Sequence, residues 1–162
     1  SMIREARLVL TEGGSVALSQ EKNLIEGVVV DFEPPLWVLP AMLPSGGEAC
    51  VFESVKMTVH PSDALDKVKA SGKVQHTVCY EADETLNTPA GRFRTHRLVS
   101  RFEADLGTSR VENVTTQWFA PDLGIIAERR HEQTFALGVR IRDNQESWIA
   151  SKVEGGGEKP AE

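Results

Sequence analysis

Segments rich in Val, Ile, Thr and Phe recur along this chain, and within them apolar and polar residues alternate, imperfectly, with the period of two that marks β-strands. In Ala49–His60 one face collects Ala49, Val51, Glu53, Val55, Met57 and Val59, and the other Cys50, Phe52, Ser54, Lys56, Thr58 and His60. Successive strand side chains point to opposite faces, so the first set faces a core and the second is wetter. Turn signals punctuate the pattern at Gly13-Gly14, Pro34-Pro35, Ser45-Gly46-Gly47, Pro61-Ser62-Asp63, Ser71-Gly72, Pro89-Ala90-Gly91, Leu106-Gly107, Pro121 to Gly124 and Asp143-Asn144. The predicted strands are Arg4–Thr11, Ser15–Ser19, Leu24–Phe32, Ala49–His60, Lys73–Ala82, Gly91–Asp105, Ser109–Ala120, Ile125–Leu137 and a last one near Val139–Arg142 or Glu146–Ala150. Ser62–Ala70 stays open between a short helix capped by Ser62 and a strand over Leu65–Ala70.

Gly91–Thr134 reads as three consecutive strands joined by tight turns, which implies an antiparallel meander. The expected fold is all-β with little helix: one strongly curved antiparallel sheet, a half-barrel, closed by a Pro-rich lid. Glu33–Glu48 is that lid, because Pro34, Pro35, Pro40 and Pro44 argue against a central strand. Its Leu36, Trp37, Val38, Leu39, Met42 and Leu43 are too apolar to stay in water. In Ile125–Phe135 one face carries Arg129, His131 and Gln133, the other Glu128, Arg130, Glu132 and Thr134. Such a strand is either largely solvated or lines a wet cavity, and the pattern does not choose.

Composition narrows the partners. The 162 residues suit one domain. Ser1-Met2 reads as the scar of a removed tag, 3–150 as the half-barrel and 151–162 as a polar Gly-rich tail or linker. A net charge of -6, with basic and acidic residues interleaved, argues against a nucleic-acid partner. No apolar run approaches the ~20 residues of a membrane span. Cys50 and Cys79 lack Cys-x-x-Cys spacing, so no zinc or thioredoxin-like chemistry is indicated. Two separate thiols are the expectation. Pairing needs neighbouring strands and an oxidising compartment.

A family pattern runs from Glu33 to Thr134. It comprises Pro34-Pro35-Leu36 through Leu39-Pro40, Gly46-Gly47 opening a strand, Thr88-Pro89-Ala90-Gly91-Arg92-Phe93, and Trp118-Phe119-Ala120-Pro121-Asp122-Leu123-Gly124. This resembles bacterial envelope proteins with a Thr-Val-Pro-Ala-Gly-x-Phe signature followed by Trp-Tyr-Ala-Pro-Gly-x-Gly. Asp122 stands where a Gly is common and Phe119 where a Tyr is common. The resemblance implies the half-barrel of the LolA/LolB-like lipoprotein carriers, around an apolar hollow, and an exported or periplasmic location. The same turn residues also act as plain folding devices.

Candidate chemistry is dispersed. His60, His76, His96 and His131 lack metal-ligand spacing, and no Gly-x-Ser-x-Gly elbow or phosphate loop is present. No catalytic residue, metal or cofactor is assigned. If the strands curve around one hollow, His76, Tyr80, Arg97, Arg129 and His131 converge there; otherwise they are surface or satisfied half-buried groups. Trp37, Trp118 and Trp148, with Phe93 and Phe119, are candidate linings of an apolar pocket, with Leu39 and Met42 closing it; the alternative is core packing. The acidic Glu81, Asp83 and Glu84 could take a cation or form a solvated rim. The expected function is non-catalytic binding of a lipid, another apolar ligand or a protein partner. Two alternatives are a small barrel enzyme with a dispersed His/Arg/Tyr site and an assembly module of a larger chain.

Overall fold

The computed structural model describes residues 4–39, 41, 49–121 and 123–153. Among them are nine strands and no helix: β1 Arg4–Leu10, β2 Val16–Asn23, β3 Val28–Leu39, β4 Ala49–Pro61, β5 Ala70–Thr88, β6 Gly91–Asp105, β7 Ser109–Ala120, β8 Gly124–Ala136 and β9 Val139–Ile149. Each pairs antiparallel with the next, giving one sheet in the order β1 to β9. The sheet curls into a half-barrel. Its two ends are held by ion pairs: Arg4 of β1 reaches Glu132 of β8 at 3.9 Å, and Arg142 of β9 pairs with Glu26 in the β2–β3 turn.

Burial follows the period-two pattern. Val55, Met57 and Val59 of β4 are buried, as are Val74 and Val78 of β5 and Leu98 and Ala104 of β6. The main core gathers Leu18, Val28, Phe32, Leu36, Met57 and Val74 with their neighbours on the inner face of β2 to β6. At the β8–β9 hairpin Leu137 and Gly138 both have positive φ, 51° and 79°. Two such residues in a row match the right-handed twist of the flanking strands.

Three expectations are corrected. Pro34 and Pro35 lie inside β3, and Leu36–Leu39 is its second half, not a loop. Sheet hydrogen bonding tolerates them because the register slips there: Gln20 faces Asp31 while Leu18 faces Leu36, and β4 pairing stops at Glu33 opposite Lys56. Prolines are accommodated at such bulges and local edges. The rest of the expected lid, Pro40 and 42–48 with Met42, lies outside the described residues. Ser62–Lys69 is neither helix nor strand. It is a run of turns, with Ala64 N–H donating to the Pro61 carbonyl and Lys67 N–H to that of Ala64. Cys50 and Cys79 are joined in a disulfide. They sit directly opposite each other on β4 and β5, a juxtaposition that only the register reveals.

β5 runs past the expected Ala82. Among the described residues, strand pairing beyond Tyr80 and His96 is confined to β5 and β6, which continue as a two-stranded ribbon. Its tip returns to the end of β9, where Ala90 N–H donates to the Ala150 carbonyl at 3.3 Å.

Candidate ligand-binding hollow

The concave face encloses a hollow of about 540 Å³ to which all nine strands contribute. Its two sides differ in chemistry. Phe32 and Leu36 of β3, Met57 and Val59 of β4 and Phe102 of β6 form an apolar wall. Phe32 and Phe102 meet edge to face, ring centroids 6.3 Å apart. Opposite, β7 and β8 present Asn113, Thr115, Gln117, Glu128, Arg130, Glu132 and Thr134. This resolves the ambiguity of β8: the Glu128–Thr134 face lines a wet cavity.

The polar wall is internally paired. Gln117 donates to Glu128 at 2.8 Å, and Arg130 Nη2 to Glu132 at 2.9 Å. Arg4 donates to Glu21 at 3.3 Å. The charges lining the hollow balance, with Arg4, Lys69, Arg130 and Arg142 against Glu21, Glu26, Glu128 and Glu132. Among the described residues one donor is left over: the buried Nε–H of Arg130 has no hydrogen-bond partner. Buried donors are normally satisfied, so this orphan is an exception within an otherwise paired wall.

Between the two walls lies a polar relay. His76 of β5 is 4% exposed. Its Nδ1 lies 2.7 Å from Glu53 Oε1 and its Nε2 3.0 Å from Ser100 Oγ. A carboxylate only accepts, so in the neutral ring Nδ1 carries the proton and Nε2 accepts from the serine hydroxyl. Glu53 is fixed in turn by the Trp37 N–H at 2.7 Å. That N–H lies past the proline bulge, where β3 no longer pairs with β4, so a side chain takes the place of a ladder carbonyl.

Of the residues singled out from sequence, Trp37 and His76 line the hollow together. Leu39 sits at the end of β3 opposite Val16, and Phe93 on the ribbon opposite Leu86. Trp118 donates its indole N–H to Glu84 at 2.5 Å, and Arg97 binds Glu81 at 3.1 Å and Glu84 at 3.4 Å. Tyr80 packs beside His96, which hydrogen-bonds Asp83. Those contacts hold the Asp83 carboxyl below its ordinary range, Tyr80 first and then His96, while the nearby carboxylate raises the Tyr80 phenol. Arg129 is exposed on β8, and His131 pairs with Asp143 at 2.7 Å. The five polar candidates therefore do not meet at one point. Among the described residues no group of His, Cys, Asp and Glu is arranged to hold a metal ion. Glu53, Ser100 and Arg130 were not among the sequence candidates.

Searches against protein-family models, curated proteins and solved structures return no match for this chain. No helix of the described residues is long and apolar enough to cross a membrane.

Proposed function

We propose that this half-barrel binds one amphipathic molecule, with its apolar tail against Phe32, Leu36, Met57 and Phe102 and its polar end against β7 and β8. The observation that carries this reading is the two-sided hollow itself. Its 540 Å³ falls within the roughly 300–1,000 Å³ of small-molecule pockets. The Arg130 guanidinium on the polar wall supplies a charged partner for the polar end. The likeness to lipoprotein carriers points the same way, and the Cys50–Cys79 bond favours an oxidising, exported location. The test is titration with dansyl-labelled undecanoic acid, together with native mass spectrometry of freshly purified protein. The expected result is one ligand per chain, with Trp37 emission quenched and the quenching lost in Trp37→Phe. A protein that carries no small molecule and does not respond to the probe would refute the proposal.

A second reading, self-assembly, is favoured by the open edge strand β9. Val139, Ile141, Trp148 and Ile149 are 65%, 64%, 47% and 45% exposed there. The occupant that fits is a second copy. Antiparallel pairing of β9 with itself about Asn144 sets Arg142 against Glu146 of the other copy, Arg140 against Trp148, and Val139 against Ile149. Light scattering after size exclusion should show a dimer that Glu146→Arg dissociates and Arg142→Glu/Glu146→Arg restores. A monomer at every concentration would end this reading.

A further inference from the structure

We propose that Ser100, His76 and Glu53 act as nucleophile, general base and orienting carboxylate in hydrolysing an acyl ester of the molecule held in the hollow. This rests on the binding reading above and names its substrate class. A nucleophile–base–carboxylate relay is recognised by geometry and role, not by sequence order or fold. The distances fit that role: 3.0 Å from Ser100 Oγ to His76 Nε2 and 2.7 Å from His76 Nδ1 to Glu53. In the neutral ring, a proton on Nδ1 leaves Nε2 to accept the serine proton. The relay is also placed where a substrate would be. His76 and Ser100 both line the hollow, and Phe102 packs against the His76 ring at 6.5 Å, so the apolar wall that would take an acyl chain adjoins the hydroxyl.

The reaction also needs a donor for the oxygen that becomes negative. Ser100 of β6 faces Thr115 of β7, and Thr115 faces Arg130 of β8, so the three share one row on the concave face. Arg130 lines the same hollow as the serine, and its guanidinium is assigned as that donor. Ser100 Oγ bonds to the ester carbonyl carbon while its proton passes to His76 Nε2. The C–O bond to the alcohol then breaks, and the alcohol leaves with that proton. Water next attacks the acyl-serine and gives a proton to Nε2. The carboxylic acid leaves, and the proton returns to Ser100. The net reaction is ester plus water to acid plus alcohol, with no other reactant. Glu53 touches no substrate. It is a positioning residue that fixes the imidazole and stabilises its cation.

The experiment is labelling with an alkyl fluorophosphonate and turnover of a medium-chain p-nitrophenyl ester, run beside the dansyl-undecanoic acid titration of the wild type. Wild type should be labelled at one site, and Ser100→Ala should lose both label and turnover with its circular dichroism intact. Ser147→Ala, on the exposed edge strand, should label like wild type. Glu53→Gln should react roughly 10²-fold more slowly, and its rate–pH midpoint should move to lower pH, a change that a structural role would not produce. A wild type that binds the dansyl probe but is neither labelled nor faster than Ser100→Ala overturns the relay and leaves the binding reading intact. Labelling that persists in Ser100→Ala overturns it too. A wild type that neither binds nor reacts removes both.

Discussion

The Cys50–Cys79 bond offers the sharpest test of the register. The two residues face each other across β4 and β5 with their Cα atoms 4.1 Å apart, the close spacing of a non-hydrogen-bonded antiparallel pair. Cys50 is exposed and Cys79 half-buried, so changing both loses little packing. What remains is the constraint on the unfolded chain. For a sequence separation of 29, loop-closure entropy gives about 3.6 kcal/mol. At about 2–4 °C per kcal/mol, that is a fall in Tm of roughly 7–14 °C. The measurement is urea unfolding and thermal melting of wild type with and without reductant, beside the Cys50→Ser/Cys79→Ser variant. Reduced wild type and the variant should coincide, and reductant should not move the variant. If oxidised and reduced proteins unfold within about 1 kcal/mol of each other, the bond does not close this loop, and the β4–β5 register fails with it.

Three further outcomes follow from named contacts. A Cβ added at Gly72 would sit 1.7 Å from the Asp105 carbonyl oxygen, which is backbone and cannot swing away. Gly72→Ala should therefore cost about 3 kcal/mol in denaturant unfolding, and unchanged stability would contradict the β5–β6 approach. Leu137 holds a left-handed φ of 51° while 85% exposed, so Leu137→Asn gives up little burial and should raise stability by about 1 kcal/mol. A lower melting temperature would refute that turn. His131, then Gln133, holds the Asp143 carboxyl below its ordinary 3.8. A lowered folded pKa means stability that is present above that value and lost as pH falls through the folded one. Unfolding free energies of wild type and Asp143→Asn should thus differ at neutral pH and draw together as pH falls below about 4, and a gap that does not narrow with falling pH would refute the pairing.

Much of the fold was legible because β-strands write their faces into the sequence. The alternation in Val51–Val59 named its buried side correctly, and the ends of β6 and β7 fell where Gly91, Asp105, Ser109 and Ala120 put them. The misreadings have a common cause. Proline propensity is a rule about ladder hydrogen bonds, and β3 escapes it by a local slip of register that depends on β2 and β4. The ribbon of β5 past Ala82 was hidden similarly, since its charged residues are stabilised by β6 across the hairpin. Arg97 and His96 there take up Glu81, Glu84 and Asp83.

The relay was hidden for a different reason, yet it did leave a trace. Glu53 breaks the run Val51, Val55, Met57; His76 breaks Val74, Val78; Ser100 breaks Leu98, Phe102. Each alone reads as one tolerated polar residue on a core-facing strand. Their meaning comes from register: Glu53 lies directly opposite His76, and Ser100 is opposite Val78, one step along the same face from His76. A buried polar group on an apolar face must find a partner, because leaving it unsatisfied costs about 1–3 kcal/mol. Three such interruptions on consecutive antiparallel strands therefore satisfy one another only if the strands pair so that all three meet. That condition by itself selects one register over its neighbours. It also singles out His76 from the dispersed His, Arg and Tyr set, since Tyr80, Arg97 and His131 carry partners of their own on the ribbon and the outer strands.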